Sequence, residues 1–463
     1  MISAVLAMIT ALTMVAAGCG NQAEDQDELV TNVITQAPNE DTPSVTEGTG
    51  IADNGDTPAD TQAQTTVTEV VRDDKGNIVT EANGEPLTQV VTTTVPTADP
   101  DAEKFFSELA TKPNINVDTS ADSSTKYPYN TLTDDEKALY DAIVGAATNM
   151  STRIFGAQKL SSAEWLKVFG LVYNQEPQLF WLNSKSVVGR LYYNEIDADK
   201  INAMQKEIDA TVEPLLKEAN GKSSTFEKLK VFHDYLVLNA TFEEIEDKVN
   251  YNQTIYNAFA GGTSKQANIQ CSGYAKAMQY LCDKAGIDCM VITGTNEKGT
   301  THAWNKVKVE GEWYNLDCTW DDPIFSDPLP NYIRHTFFLV PDSWINEITH
   351  FNVNTVSLKS GEKVKYFDPP TASAESMNYF RKNGLVYDDR DSADKALKAA
   401  LEKAVEENRI VAQIMVGSDE LYNEIKSDLK SYQTYIKEKS SKVTGLAENC
   451  NETMRIIQLN VKY

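Results

Sequence analysis

The stretch that decides the fold is residues 269–282, which read Ile269-Gln270-Cys271-Ser272-Gly273-Tyr274-Ala275-Lys276-Ala277-Met278-Gln279-Tyr280-Leu281-Cys282. Apolar side chains recur there at helical spacing, and residues 289–294 follow as a β-like run. Cys271 therefore lies at or just before the N-terminus of a helix, where unpaired N–H groups and the helix dipole favour a thiolate. The position predicts a nucleophilic cysteine, with a buried structural thiol as the alternative.

A second element follows downstream, in which two β-like runs flank the dipeptide Glu310-Gly311. This pattern predicts a hairpin of residues 302–309 and 312–318. If Val309 pairs with Glu312, the numbers of opposed residues sum to 309 + 312 = 621, so Asp317 lies opposite Trp304 and diagonal to His302. Diagonal neighbours have Cβ atoms within about 7–8 Å, close enough for an imidazole–carboxylate hydrogen bond. A turn one residue longer or shorter would break this pairing.

Cys271, His302 and Asp317 thus supply a nucleophile, a base and a group that orients the base. The motifs that contain them resemble those of the bacterial transglutaminase-like superfamily, whose core is papain-like. These motifs are Cys271-Ser272-Gly273-Tyr274-Ala275, His302-Ala303-Trp304-Asn305 and Trp313-Tyr314-Asn315-Leu316-Asp317-Cys318-Thr319-Trp320-Asp321-Asp322-Pro323. Phe232-His233-Asp234-Tyr235-Leu236 upstream and Phe337-Phe338-Leu339 downstream extend the resemblance to about residues 225–345.

The resemblance implies an α+β fold in which the nucleophile helix packs on an antiparallel sheet. It also implies that Cys271 attacks an amide carbonyl and forms a thioester. An amine acceptor then gives a cross-link, whereas water gives deamidation or peptide hydrolysis. The Cys271 N–H would stabilise the oxyanion together with a side-chain donor, for which Gln270 and Tyr256 are candidates, while Trp304 and Trp320 would support the site.

No cofactor or metal is predicted. Animal-type transglutaminases have Trp after the cysteine and use calcium, whereas this chain has Ser272 and lacks an EF-hand-like loop. Cys282, Cys289 and Cys318 fall at positions typical of a core rather than at metal-ligand spacing. A packing role is expected for His233, a structural or exposed position for His335 and His350, and a turn for Asp321-Asp322-Pro323.

Two other functional classes stay open. One is a binding or scaffold module that retains the three residues without catalysis, and it would tolerate Cys271→Ala. The other is a cysteine peptidase, which would not incorporate a primary amine into a glutamine substrate. In either enzyme class the substrate is a protein or peptide amide.

Residues 2–17 are apolar or small and end in Ala16-Ala17-Gly18-Cys19, which resembles the bacterial lipobox. Such a segment is too short to span a bilayer comfortably and is typical of a secretory signal peptide. Residues 1–18 are therefore expected to be removed and Cys19 to be lipidated, which places the protein outside the cytoplasm on the bacterial cell membrane. The chain has six cysteines. If Cys19 is lipidated, five remain, and because five is an odd number at least one thiol stays free.

Residues 19–103 are expected to form an acidic, disordered tether. Residues 20–100 carry 16 Asp or Glu against only Arg72 and Lys75, a composition that buries too little apolar surface to fold. Thr-Val runs at residues 65–71 and 90–95 indicate at most a weak hairpin. The net charge of −26 excludes a basic surface for nucleic acid, so membrane attachment would depend on the lipid alone.

From residue 104 onward the composition is globular. Capping boxes at Thr133–Glu136 and Ser161–Glu164 predict helices in a helical extension over residues 104–224, before a catalytic core at 225–368. Residues 371–463 are predicted to form a small α/β domain with the order βαβαβ. Its expected parts are a strand at 385–387, a helix capped by Ser392, a strand at 410–416, a helix opened by Ser418 and a last strand at 457–463.

Overall fold

The structure is a computed structural model that describes residues 115, 123–154, 160–242, 251–260, 267–322, 332–346, 348–357 and 362–463, together with the backbone of 64–70 and 88–94. The chain divides into two compact units, one of which spans residues 38–113. In that unit β1 (Gln64–Val70) pairs with β2 (Thr88–Thr94) in antiparallel fashion, which confirms the hairpin. The rest of the expected tether, the signal segment and Cys19 lie outside the described residues.

Helices dominate residues 123–239. After a short 3-10 turn at Ser123–Thr125 they are α1 (Tyr127–Asn130), α2 (Asp134–Thr148), α3 (Ser162–Gln175), α4 (Ala198–Asn220) and α5 (Thr225–Asn239). Both predicted capping boxes are present, since Thr133 and Ser161 each accept from the N–H three residues on and the Glu at that position reaches back. Among the described residues, no helix has the length and apolar character needed to cross a bilayer.

The central part of the chain alternates short helices with an antiparallel sheet. Its elements are β3 (Ala240–Phe242), a 3-10 turn at Tyr251–Gln253, α6 (Ile255–Ala260), β4 (Ala267–Ile269), α7 (Cys271–Ala285), β5 (Cys289–Thr295), β6 (Thr301–Val309), β7 (Glu312–Leu316), α8 (Cys318–Asp321) and β8 (Phe338–Val340). The sheet order is β5-β6-β7-β8, and all neighbouring strands are antiparallel. This mixed α+β architecture agrees with the predicted fold class.

The hairpin of β6 and β7 has the predicted register, with Val309 opposite Glu312. Glu310 and Gly311 both have positive φ, 51° and 90°. Two consecutive residues with positive φ are what a two-residue type I′ turn requires, and its twist matches that of the flanking strands. The turn therefore fixes which face of the sheet receives each side chain of β6.

Helix α7 is the central element of the core, because its residues from Cys271 to Cys282 are all buried. It ends at Gly286, whose φ of 67° supplies a left-handed cap and turns the chain directly into β5. The Asn305 side chain on β6 donates to the Ala275 carbonyl at 2.9 Å and so ties the helix to the sheet. The helical extension shares this core through side chains such as Trp165, Phe169 and Ile208.

The remaining residues add a two-stranded sheet and a four-stranded sheet that has its own hydrophobic core. The elements are β9 (Thr355–Ser357), β10 (Lys363–Lys365), α9 (Tyr379–Lys382), β11 (Val386–Tyr387), α10 (Arg390–Glu406), β12 (Val411–Val416), α11 (Asp419–Ser427), α12 (Leu429–Lys439), β13 (Gly445–Glu448) and β14 (Ile456–Lys462), after a 3-10 turn at Asp342–Trp344. The two-stranded sheet pairs β9 with β10, and the four-stranded sheet has the order β11-β12-β14-β13, in which only β11 and β12 are parallel.

Three details of this part differ from the sequence-based expectation. Asp389, rather than Ser392, caps α10 and accepts the Ser392 N–H at 2.9 Å, because Asp is an equally good N-cap residue three positions earlier. The helix opened by Ser418 stops at Ser427 and a separate helix begins at Leu429. Strand β13, which has little apolar alternation, was not predicted.

Candidate active site

Cys271 is the first residue of α7 and is buried. Gln270 precedes it in extended conformation as the N-cap residue, so the helix begins at Cys271, in agreement with the predicted helix start. Among the described cysteines, Cys282, Cys289, Cys318 and Cys450 are free thiols. The thiolate is the nucleophilic form of cysteine, so chemistry at Cys271 requires a reduced, deprotonated sulfur.

The first turn of α7 is held by a close backbone approach. The carbonyl oxygen of Asn252 accepts the Gln270 N–H at 2.8 Å. A Cβ atom added to Gly273 would lie 2.6 Å from the same oxygen, closer than real Cβ contacts allow. Glycine at position 273 of the Cys-Ser-Gly motif is therefore required for the helix start to sit where it does.

His302 and Asp317 form the predicted pair. The His302 Nε2 atom lies 2.6 Å from Asp317 Oδ2, and both side chains are only 2% exposed. Asp317 also caps α8, since its Oδ1 accepts the Trp320 N–H at 3.0 Å. Because the carboxylate requires an N–H at Nε2, the neutral imidazole carries its lone pair at Nδ1, the atom that could take a proton from a thiol.

The charge state of Asp317 follows from these contacts. Burial alone would raise the pKa of its carboxyl, but the charge of His302 and the hydrogen bonds from His302 and His350 outweigh burial and lower this pKa well below its ordinary value. Asp317 is consequently ionised at any pH at which the protein would work. A permanent negative charge beside His302 favours the imidazolium form that proton transfer creates.

The topology places Cys271 at the same end of the domain as this pair. Helix α7 leads into β5 through a short turn, and β5 is antiparallel to β6, so α7 and β6 run in the same direction. Cys271 at the start of the helix and His302 at the start of the strand therefore lie at one end. The Tyr274 hydroxyl, on the first turn of α7, donates to Asp322, the residue directly after α8.

A second imidazole, missed by the sequence analysis, contacts the same carboxylate. His350 is completely buried, and its Nε2 atom lies 2.9 Å from Asp317 Oδ2, the oxygen that also bonds His302. The Thr349 hydroxyl lies 2.7 Å from the other nitrogen of His350. His350 is therefore neither exposed nor merely packed, and no pattern in the sequence around it signals this contact.

Two tryptophans enclose the pair, as expected for supporting residues. Trp304 lies nearly parallel to the His302 ring at 5.8 Å between centroids and meets the His350 ring edge-on at 4.6 Å. Trp320 lies 6.0 Å from His302 and 5.3 Å from His350. These rings exclude water from Asp317 and fix both imidazoles.

The two oxyanion candidates differ in their surroundings. Gln270 is buried beside Cys271, and its Oε1 atom accepts from Gln253 Nε2 at 2.9 Å. The Tyr256 hydroxyl instead donates to Glu207 on α4 at 3.0 Å. The structure thus brings Gln270 into a buried network next to the nucleophile, whereas it commits the Tyr256 hydroxyl to α4.

Another cluster of buried imidazoles and carboxylates lies around α5. His233 Nδ1 is 3.1 Å from Asp234, and its Nε2 atom is 3.1 Å from Asp321 on α8. Burial would lower the pKa of His233, but hydrogen bonds and charges from Asp234 and Asp321 raise it to about 9. The resulting imidazolium clamps α8 to α5, so Asp321 is an ion-pair partner and more than a turn residue.

His335 belongs to the same cluster. Its Nε2 atom lies 2.7 Å from Asp234, and its ring stacks on Tyr379 at 3.8 Å. Burial lowers the pKa of His335 to about 4, so the ring is neutral near pH 7. The packing role expected for His233 thus extends to a second histidine that carries no sequence signal.

Among the described residues, two groups of three side chains have a donor set capable of binding a divalent cation. They are His302, Asp317 and His350, and His233, Asp234 and His335. Within the first group the nitrogen–oxygen distances are 2.6 and 2.9 Å, which are those of N–H···O hydrogen bonds. A shared proton accounts for each contact, so neither group needs a metal to hold its geometry.

Two clefts lie near opposite ends of α7. The larger, about 680 Å³, is lined by Asp283, Gly286 and Cys289, which lie about 20 Å along the helix from Cys271. The smaller, about 550 Å³, is lined by His350 together with polar residues that include Asn296, Glu297 and Asn346. Cys271, His302 and Asp317 are not among the residues that line either cleft.

Parts of this chain are similar to known proteins. Residues 213–318 match the model of the transglutaminase-like superfamily. Human kyphoscoliosis peptidase is 31% identical over 113 residues, which cover 21% of this chain and 17% of the length of that protein. Among solved structures, a TGase is 19% identical with a TM-score of 0.24, covering 31% of this chain and 37% of its own.

The periplasmic domain of TgpA from Pseudomonas aeruginosa is 14% identical with a TM-score of 0.21, covering 29% of this chain and 56% of its own. The family match includes the helix that begins at Cys271 and both strands of the hairpin that brings His302 to Asp317. The chain therefore contains a transglutaminase-like superfamily domain at residues 213–318, within a mixed α+β fold.

Proposed function

We propose that this protein is a thiol acyltransferase that opens an amide through a thioester on Cys271. The observation that carries the proposal is the buried His302–Asp317 hydrogen bond of 2.6 Å at the same end of the domain as the N-terminus of α7. A nucleophile at a helix start, a base with an acceptor nitrogen and a buried anion are the three parts that covalent amide chemistry needs.

The first half of the reaction forms the thioester. The reduced Cys271 thiol gives its proton to His302 Nδ1, and the thiolate attacks the amide carbonyl carbon. The oxyanion that forms accepts hydrogen bonds from the Cys271 N–H and, as we propose, from Gln270. When the tetrahedral intermediate collapses, the carbon–nitrogen bond breaks and the His302 imidazolium protonates the departing amine or ammonia.

The second half releases the acyl group. An acceptor approaches the thioester, loses a proton to His302 and displaces Cys271 as a thiol. A primary amine yields a new amide and hence a cross-link, whereas water yields a carboxylic acid by deamidation or hydrolysis. Asp317 stays ionised throughout, and its charge stabilises the His302 imidazolium in both halves.

Peptide hydrolysis is the second candidate, because a relative that is 31% identical over 113 residues is named a peptidase. Peptide hydrolysis passes through the same thioester on Cys271, but the bond that breaks is a main-chain peptide bond and not a side-chain amide bond. A binding module would retain the geometry without turnover, and the burial of Cys271 and His302 is compatible with that role as well.

We also propose a cellular location for the enzyme. The apolar segment at residues 2–17 and the Ala16-Ala17-Gly18-Cys19 motif support export and lipidation at Cys19. The acidic residues 20–100 support a spacer between a membrane and the catalytic domain. The partners would then be extracytoplasmic protein or peptide amides, and the membrane would be bound through the lipid only.

Hydroxylamine trapping tests the proposal, because hydroxylamine intercepts any acyl-thioester as a hydroxamate. The reduced protein is incubated with a peptide library that contains glutamine, and mass spectrometry locates the products. Glutamine hydroxamates indicate a transferase or deamidase, whereas hydroxamates at new peptide C-termini indicate a peptidase. Cys271→Ala should give neither, with Cys282→Ala as the matched control. Equal product from wild type and Cys271→Ala would show that the thioester route is wrong.

A further inference from the structure

The carboxylate of Asp317 accepts more hydrogen bonds than the proposed chemistry uses. Its Oδ2 atom faces His302 Nε2 at 2.6 Å and His350 Nε2 at 2.9 Å, while Oδ1 accepts the Trp320 N–H at 3.0 Å. The family-like motifs account for His302 and for the helix cap. His350 lies outside residues 213–318, the part of the chain that matches the family model.

We propose that His350 is a positioning residue for the acyl-transfer reaction, which sets the orientation and the basicity of Asp317 and through it the proton affinity of His302. This role rests on the proposed function, because it matters only if His302 exchanges protons with Cys271. His350 does not touch the thiol or the reacting carbonyl in this scheme. It acts through the single oxygen that both imidazoles share.

The contacts of His350 define its protonation state. Asp317 on one side requires an N–H at Nε2, and the Thr349 hydroxyl, which also lies 3.3 Å from the Ile345 carbonyl oxygen, is 2.7 Å from Nδ1 on the other. The ring is completely buried, and burial lowers its pKa despite the nearby carboxylate. His350 is thus a neutral imidazole with one donor nitrogen, and that donor is aimed at Asp317.

The segment that carries His350 is held rigidly against β5. Phe351 and Thr295 exchange both backbone hydrogen bonds, at 2.8 and 2.7 Å. Gly294, which lies opposite His302 in the sheet, allows this approach, because an added Cβ there would lie 2.4 Å from the Phe351 carbonyl oxygen. The backbone contacts of this segment therefore fix the position from which the His350 side chain contacts Asp317.

The charge balance at Asp317 gives the direction of the effect. A hydrogen bond from a neutral donor stabilises the carboxylate and spreads its charge, which weakens its attraction for the His302 proton. Without His350 the same charge acts on His302 alone, so His302 should hold its proton to higher pH. His350 thereby keeps His302 able to release the proton in each half of the reaction.

The other charged or titratable groups near Asp317 and His350 are the same in the wild-type protein and in a variant at position 350. Asp317, His302 and Glu297 are the groups whose charges act on His350. Next to Asp317 the thiol of Cys318 has its pKa raised well above the ordinary value, first by burial and then by Asp317 and three further carboxylates, so it stays protonated. Cys271 on α7 is the remaining group that exchanges protons with His302.

The test uses the full chain after reduction and compares wild type with His350→Phe and His350→Gln. Phe keeps a ring against Trp304 but lacks the donor, whereas the Gln amide restores a donor. The chain has four histidines, so carbon NMR with labelled imidazoles resolves the titration of His302, with His302→Ala as the assignment control. Mass spectrometry measures alkylation of Cys271 by iodoacetamide in the same samples.

We expect His350→Phe to move the His302 titration to higher pH, because the charge of Asp317 then acts on that imidazole alone. His350→Gln should return it toward the wild-type value. The role of His350 would be overturned if His350→Phe leaves this titration unchanged, or if His350→Gln shifts it as much as His350→Phe does.

The two proposals fail in different ways. If Cys271 of the wild-type protein is inert and does not depend on His302, the proposed function is wrong. If Cys271 is reactive but the His302 titration ignores position 350, only the role of His350 is wrong. Should His350→Phe not fold, Thr349→Val removes the hydroxyl that contacts His350 Nδ1. That change weakens the Nε2 donor, so a smaller shift in the same direction is expected. No shift in that variant would count against the role equally.

Discussion

Two buried clusters in this molecule combine histidine and aspartate side chains in different ways. Around the candidate nucleophile, one carboxylate, Asp317, lies between two imidazoles, His302 and His350. Around α5, one imidazole, His233, lies between two carboxylates, Asp234 and Asp321, and Asp234 also contacts His335. The two clusters belong to one hydrophobic core and are joined by α8, which Asp317 caps and in which Asp321 is the last residue.

The difference in connectivity decides what each cluster can do. Both ring nitrogens of His233 face carboxylates, which raises the pKa of His233 to about 9, so the ring stays protonated near pH 7. In the cluster around Asp317, the two imidazoles share one carboxylate. His302 contacts it through Nε2, so its Nδ1 atom is left to exchange a proton. The His233 cluster holds a permanent charge that stabilises the fold, whereas the Asp317 cluster stabilises a charge that forms during a reaction.

The largest effect should come from removing the nucleophile or the base. Cys271→Ala and His302→Ala should each lower hydroxamate formation by about 10³-fold or more, because no other described group occupies their positions. Circular dichroism and thermal unfolding should stay close to wild type. Cys282→Ala, which alters another buried thiol of the same helix, should retain activity. Comparable losses in all three variants would contradict the assignment.

Asp317→Asn should have the next largest effect. The Asn amide presents an N–H to His302 Nε2, or loses the contact, so it favours the tautomer whose Nδ1 already carries a proton. We expect a fall of about 10²- to 10⁴-fold in the rate of thioester formation, measured by burst kinetics with hydroxylamine. A loss below about threefold would show that Asp317 does not orient the base.

Asp321→Asn should affect stability and leave the chemistry largely intact. It leaves the buried His233 charge with one carboxylate in place of two, and breaking a buried ion pair costs about 3–5 kcal/mol. Urea unfolding measures the loss. The rate of thioester formation per folded molecule should remain within about threefold of wild type, since Asp317 keeps both of its imidazoles. A selective loss of rate at unchanged stability would reverse the roles of the two clusters.

The pH dependence of stability should show the smallest effect, and it isolates His233. Its pKa is raised from 6.5 to about 9, so its contribution to stability is fully present below pH 6.5 and is lost as the pH rises through 9. The destabilisation caused by His233→Gln should therefore shrink by about 3 kcal/mol between pH 6 and pH 9.5. Urea unfolding at both pH values checks this, with His335→Gln as the matched control. A destabilisation that grows with pH would contradict the locked imidazolium.

Local sequence patterns were sufficient for the parts of the site that lie within one element or one turn. The helix start at Cys271 follows from apolar spacing, and the His302–Asp317 contact follows from a two-residue turn, because a hairpin register is arithmetic once its turn is known. The identity of this pair and its confirmed hydrogen bond needed no knowledge of the rest of the chain.

The remaining contacts could not be predicted because they join distant segments. His350 is 33 residues beyond Asp317 in a segment with no periodicity, and the Asp321–His233 pair spans 88 residues. Periodicity describes one face of one element and carries no information about which irregular segment returns to it. The cap at Asp389 was missed for a simpler reason, since Asp and Ser are equally good N-cap residues.

The pH dependence of Cys271 alkylation by iodoacetamide tests the central claim most directly. Reduced wild-type protein is compared with His302→Ala, and mass spectrometry separates Cys271 from the other thiols. If Cys271, His302 and Asp317 form a catalytic unit, wild-type Cys271 reacts well below the free cysteine pKa of about 8.5 and His302→Ala abolishes this reactivity. If Cys271 is inert, or titrates as an ordinary thiol in both proteins, the three residues do not form a working acyl-transfer site.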